Sequence, residues 1–207
     1  HPHGVEMGVL QTMLKDTKTR NLGGFLQCEF SRVSQRVAEE ICANAAIAPS
    51  LSPSRMGHQE VEKLMQGIAK TKIMNPPTNC VAPIGEEQLQ KGLESTIPAA
   101  FYTCTTRPPA VYRGNPFIIE AALAYGGNGQ EADEPARVLR FANRVPLLYQ
   151  QGGCCAYQSV LQTNWRQYGL NQPRGALPVG PLTIIVHMAS VWVPFTSESK
   201  EAIAGYP

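Results

Sequence analysis

Three short stretches carry residues whose chemistry points at anions. The first is Thr196-Ser197-Glu198-Ser199-Lys200, which follows the apolar, β-branched run Thr183 to Val193 and Pro194. The run reads as a buried strand. Pro194 ends it, and Lys200 is expected to open a helix capped by Ser197 or Ser199. A lysine in the first turn of a helix opposes the partial positive charge there. The same place becomes favourable once an anion arrives, because free N–H donors and an ammonium together make a phosphate site. The plain alternative is a solvated lysine.

The second stretch is Ser31-Arg32-Val33-Ser34-Gln35-Arg36. Ser34 is a natural N-cap for a helix running to about Ala46. Arg32 and Arg36 flank that helix start, which suits a phosphate of a DNA or RNA backbone. A capped helix with two surface arginines explains the same residues. The third stretch is Trp165-Arg166-Gln167-Tyr168 at the end of a helical pattern. A cation between two aromatics can grip a nucleic-acid backbone, with the rings supplying rigid packing. It also reads as a helix C-terminus anchored by its rings.

The elements that position these residues fall into two parts. Val5 to Thr17, a short helix holding Phe25, Leu26 and Phe30, Ser34 to Ala46, and Gln59 to Lys70 are all helical in pattern, with Gly23-Gly24 as a break. Asn75-Pro76-Pro77 closes this region. Beyond it, Gly85 to Thr96 and Cys155 to Asn164 read as helices. Ala99 to Thr106, Phe117 to Tyr125, Val138 to Val145 and Thr183 to Val193 read as strands, and Asn128 to Pro135 as a polar loop. Strands interleaved with two helices point to one sheet with helices packed on a face. The expected domains are therefore residues 1–78, all helical, and 79–207, mixed.

Length and composition bound the answer. The chain has 207 residues, 43% hydrophobic and 16% charged, with a net charge of +2. That is a globular composition with room for one large or two small domains. Any basic surface must be local. No run is long and apolar enough to span a bilayer, so no membrane partner is expected. Six cysteines occur without a C-x-x-C pair, so no metal site is expected, and the cysteines read as reduced thiols of an intracellular protein. A start at His1 and an end a few residues into a helix suggest a fragment.

Seven stretches in order carry a resemblance: HPHG at the start, PIGEE (Pro83 to Glu87), RPPAVYRGNPFIIEAALAYGG (Arg107 to Gly127), RFANRVPLLY (Arg140 to Tyr149), NWRQYGL (Asn164 to Leu170) and SKEAIA (Ser199 to Ala204), with the helical block after the first. Together they resemble the B subunit of topoisomerase VI, the type IIB DNA topoisomerase, over nearly the whole chain. The resemblance implies an α+β fold. A helix–two-turn–helix domain would be followed by a transducer domain similar to the second domain of a ribosomal small-subunit protein, a mixed sheet with helices on one face.

The resemblance also implies roles. Lys200 falls on the family's switch lysine, which reaches the γ-phosphate of ATP held with Mg2+ in a neighbouring GHKL-type ATPase domain. Trp165, Arg166 and Tyr168 fall on its W-K-x-Y DNA-contact motif, with arginine where lysine is usual. The helix–two-turn–helix region also contacts DNA in the family; Arg32, Ser34 and Arg36 are readings from the residues alone. The implied partners are the DNA-cleaving A subunit, a second B subunit in an ATP-dependent dimer, and double-stranded DNA. No catalytic residue is expected within this stretch. The implied activity is ATP-dependent passage of one duplex through another, in the nucleus of a eukaryote or the cytoplasm otherwise. Two other readings stay open: a non-enzymatic scaffold similar to the topoisomerase-VI-B-like partners of the meiotic DNA-break machinery, and an RNA-binding protein. The segments Gln172 to Pro181 and Gly152 to Cys155 depart from the family pattern.

Overall fold

The computed structural model describes residues 1–127 and 133–206. Of the expected loop Asn128 to Pro135, residues 128–132 lie outside the described residues. The chain divides into two compact units, His1–Pro77 with Val111–Asn115, and Thr78–Ala110 with Pro116–Pro207.

The first unit is built on α1 (Met7–Asp16), α2 (Leu22–Glu29), α3 (Gln35–Ala45) and α4 (His58–Lys70). Each helix presents an apolar stripe at helical spacing, and the stripes meet in one core. Leu10 and Leu14, Phe25 and Leu26, Ile41 and Cys42, and Val61, Leu64 and Ile68 form it. Ser34 caps α3 as expected, its hydroxyl accepting from the Val37 amide at 3.4 Å. Gly23-Gly24 does not break the chain there. The Asn21 side chain accepts from the Gly24 amide at 2.7 Å and caps α2, so both glycines lie in its first turn. Gly67 has a steric reason to be glycine. A Cβ at that position would stand 2.7 Å from the Ala45 Cβ and 2.7 Å from the Ile41 carbonyl oxygen, where α3 crosses α4.

The second unit holds α5 (Glu86–Thr96), α6 (Cys155–Gln162) and the strands β1 (Phe101–Thr106), β4 (Arg137–Ala142), β5 (Val145–Pro146) and β6 (Leu182–Ser190), with β3 (Asn115–Tyr125) from Pro116 onward; β2 (Ala110–Tyr112) begins in it and runs into the segment Val111–Asn115 counted with the first unit. The sheet runs β1-β3-β6-β4-β5, with β2 off this path. β6 is antiparallel to β3 and parallel to β4. The class is α+β with a mixed sheet, as the resemblance implies.

Cross-strand partners share a face, so the register places the helices. Ala122 and Ala124 pack with Leu93 of α5. Their neighbour Leu123 and its partner Ile184 pack with Val160 of α6 and with Trp165. Each face of the sheet therefore has its own helix, where the sequence pattern suggested a single covered face. Alternation in β3 carries this information, because Ala122 and Leu123 point to opposite sides.

Two strands end earlier than the apolar runs suggest. The run from Val138 to Val145 is broken at Asn143 and Arg144, whose φ values of 46° and 69° turn β4 back into β5. Two successive positive-φ residues are the geometry of a tight hairpin turn, which Asn favours and Arg does not advertise. The run from Thr183 to Val193 stops at Ser190, whose amide and carbonyl are both taken by the Asn143 side chain at 2.9 Å. Among the described residues no helix is long and apolar enough to cross a membrane.

Candidate functional site

Lys200 does not open a helix. It sits in a loop closed by a bridge between Phe195 and Ile203, with the Thr196 amide donating to the Ala202 carbonyl at 2.9 Å. The Lys200 amide closes a turn onto the Ser197 carbonyl at 3.1 Å, and Ser197 and Ser199 hydroxyls bond each other at 2.7 Å. The amides that a helix would leave free are thus partly occupied, because Ala202 and Ile203 are drawn into the core beside Cys154 and Leu147. Burying those two side chains outweighs the capping signal of the serines.

What remains is an exposed ammonium on the loop, with a left-handed backbone at φ 56°. Lysine takes that conformation at a cost of about 1–2 kcal/mol. None of the ion pairs among the described residues includes Lys200. The cation is therefore available to an external anion, without the row of helix amides expected beside it.

The Trp165–Tyr168 stretch forms its own 3-10 helix after α6. Trp165 is 9% exposed, and its indole N–H donates to the Val160 carbonyl at 2.8 Å. This corrects the picture of two rings around a cation: the tryptophan anchors the turn from within. Arg166 and Tyr168 are on the surface, Tyr168 at 68% exposure. Arg166 Nε and Nη2 both donate to the Gln172 carbonyl, at 2.9 and 2.6 Å, which fixes the plane of the guanidinium. Gln172 opens the segment Gln172 to Pro181, expected to depart from the family pattern, and here its carbonyl buttresses the arginine.

In the helical unit, Arg32, Ser34 and Arg36 are exposed around the start of α3. Arg32 has φ 64° in the turn, and the Ser34 hydroxyl is engaged as the cap. Ser34 thus shapes the helix start, and the two arginines carry the charge.

Sequence reasoning missed a fourth cluster. Glu120 on β3 and His187 on β6 are both fully buried. The Glu120 carboxylate accepts from the Ile84 amide at 2.8 Å, the Gly85 amide at 2.7 Å, the Thr106 hydroxyl at 2.8 Å and His187 Nδ1 at 2.6 Å. Gly85 stands at φ 90°, which its lack of a Cβ permits. His187 Nε2 accepts from the Arg144 amide at 3.0 Å. That nitrogen carries no proton, so the ring is neutral and donates from Nδ1. Burial alone would raise the Glu120 pKa, but the four donors outweigh it and hold the carboxyl below its ordinary range.

Every strong acceptor position of this pair is used, and both side chains are sealed from solvent, so it locks the fold rather than moves protons. It ties together Pro83 to Glu87, β3, β6 and the Asn143-Arg144 turn, with the Arg144 guanidinium donating to the Pro83 carbonyl at 3.0 Å. The signal was a lone polar, ionisable residue inside each of two apolar strands, Phe-Ile-Ile-Glu-Ala and Ile-Val-His-Met.

The family described as topoisomerase VI B subunit, transducer, matches residues 76–207, which include the Lys200 loop, the Trp165–Tyr168 turn and the Glu120–His187 pair. The chain belongs to the topoisomerase VI B subunit family. It is 49% identical over 207 residues to the B subunit of type 2 DNA topoisomerase 6 from Methanosarcina acetivorans, covering 100% of this chain and 33% of that protein. The corresponding subunits of Methanococcoides burtonii and Archaeoglobus fulgidus are 50% and 43% identical over the same length, of which 33% and 34% are covered. The chain thus spans about a third of the length of these curated relatives. A solved B-subunit of DNA gyrase from Myxococcus xanthus aligns at a TM-score of 0.34 and 22% identity, over 56% of this chain and 33% of that one, a likeness too low to bear on the fold.

Proposed function

We propose that this chain is the DNA-contacting and signal-transmitting part of an ATP-dependent type IIB topoisomerase B subunit, working inside the cell with a DNA-cleaving A subunit and a second B subunit. The observation that carries the reading is Lys200: an exposed ammonium, outside the ion pairs of the described residues, on a loop whose flanking residues Ala202 and Ile203 are buried. The main chain that carries this cation is tied to the core beneath it through Ala202 and Ile203. ATP, held with magnesium by a nucleotide-binding module beyond this stretch, supplies a multiply charged phosphate. Lys200 supplies the opposite charge, and the attraction weakens when that phosphate leaves. The loop position is thereby biased by nucleotide.

Arg166 and Tyr168 contact the duplex backbone, with Trp165 holding their turn in place. Arg32 and Arg36 contact it from the helical unit, residues 1–78, which we assign as the helix–two-turn–helix domain; residues 79–207 are the transducer. The charge of Arg166 suits a phosphate as well as the family's lysine does, and its planar fork adds geometric specificity.

The deciding experiment is Lys200→Ala in the full-length subunit assembled with its A partner. ATP-driven relaxation of supercoiled DNA should fall at least tenfold while the fold is kept. Relaxation at the wild-type rate would instead favour the scaffold reading. For the DNA contacts, Arg166→Ala should weaken duplex binding evenly across sequences and reduce the salt slope by about one. A loss confined to particular sequences would remove Arg166 from the interface.

A further inference from the structure

Arg140, on β4, is 3% exposed, and none of the ion pairs among the described residues includes it. Its guanidinium holds main-chain carbonyls instead. Nη2 donates to Leu147 at 2.8 Å and Tyr149 at 2.9 Å, and Nη1 reaches Glu201 at 3.5 Å. A buried cation without a counter-charge is costly. The Cys154 sulfur, fully buried at the N-cap of α6, reaches the same stretch of main chain two residues on, at Ile203. Burial would raise the Cys154 pKa, but the Ile203 amide, the Arg140 guanidinium and the Ala156 and Tyr157 amides outweigh that and hold the thiol below its ordinary range. The sulfur accepts from the Ile203 amide at 3.4 Å, and the next residue, Cys155, donates its amide to the Ile203 carbonyl at 2.8 Å.

We propose that Arg140 and Cys154 form a positioning pair, a clasp of two buried side chains that grip the main chain at Glu201 and Ile203 and so fix where Lys200 is presented. The same guanidinium holds Leu147 and Tyr149, which flank the exposed Leu148. The clasp therefore joins the Lys200 loop to a second surface segment through one buried group. The long Glu201 bond is the weak member, so a pull on the loop is felt there first. The functional half of this inference rests on the role proposed for Lys200; the clasp itself rests on geometry alone.

The test uses the full-length subunit in its complex with the A subunit, with two readouts. The first is amide hydrogen exchange without nucleotide. Cys154→Val removes the sulfur acceptor and should raise exchange at Ile203 about tenfold, while Cys154→Ser, which keeps an acceptor, should restore protection. Arg140→Lys should raise exchange in residues 147–149 and 201–203 together. Equal exchange in the valine and serine variants would overturn the clasp, and should the arginine variant not fold, this pair decides alone.

The second readout is ATP-driven relaxation in a double-mutant cycle. Arg140→Lys should slow relaxation about tenfold when Lys200 is present and have no further effect on Lys200→Ala. Independent, multiplying losses would overturn the positioning role. If Lys200→Ala alone leaves relaxation unchanged, the switch reading fails, and the exchange result still decides the clasp.

Discussion

Single residues set two of the chain's properties against simple expectation. Glu120 is a carboxylate kept ionised in the core by four donors. Its folded pKa is depressed, so its contribution to stability is full above the ordinary carboxyl range and is lost as pH falls through the folded value. Glu120→Gln should cost about 3 kcal/mol at neutral pH, because an amide presents hydrogens to donors that need an acceptor. It should also flatten the acid limb of stability; urea titrations at neutral and acidic pH would show both, and an unchanged acid limb would refute the assignment.

Lys200 is the second case. Its left-handed backbone means that Lys200→Gly should be more stable than Lys200→Ala by about 1 kcal/mol, although both remove the ammonium. Thermal unfolding compares them directly. The motif singles out the lysine, but it does not give the conformation the residue adopts. The serines before it read as helix caps, and only the burial of Ala202 and Ile203 shows why the chain turns instead. Glu120 and His187 stood in plain view as polar side chains inside apolar runs, but what each would meet depended on strand register.

At the scale of elements, apolar spacing placed the helices well, since each helix buries a stripe that its own sequence displays. Their ends were less legible where the cap came from a side chain placed before glycines, as with Asn21. The sharpest test is Gly67→Ala. Alanine gains up to about 1 kcal/mol in an isolated helix. Here its methyl would meet the Ile41 carbonyl and the Ala45 Cβ, and overpacking against backbone costs about 1–3 kcal/mol. The clash wins, so the helical unit should be destabilised by about 2 kcal/mol in urea; a stabilised variant would mean the helices stand further apart. Trp165→Phe should cost about 1–2 kcal/mol by leaving the buried Val160 carbonyl without its donor. Because Arg166 and Tyr168 ride on that turn, duplex affinity should drop with it even though the indole touches no solvent-facing phosphate.

For the whole molecule, the class of fold was legible but its layering was not. Interleaved strands and helices announce a covered sheet. Which face each helix covers is decided by pairing between residues far apart, such as Leu123 with Ile184. Native-state hydrogen exchange should follow that pairing, with amides of β6 and the middle of β3 slowest and β5 fast at the margin. The placement of β6 also constrains synthesis. The strand that lies between β3 and β4 is made after both, so a nascent chain carries two unfinished half-sheets with bare pairing edges until residue 190 has left the ribosome. Such edges invite association with other chains. Polypeptides stalled before that point should cling to chaperones, and those stalled well beyond it should let go.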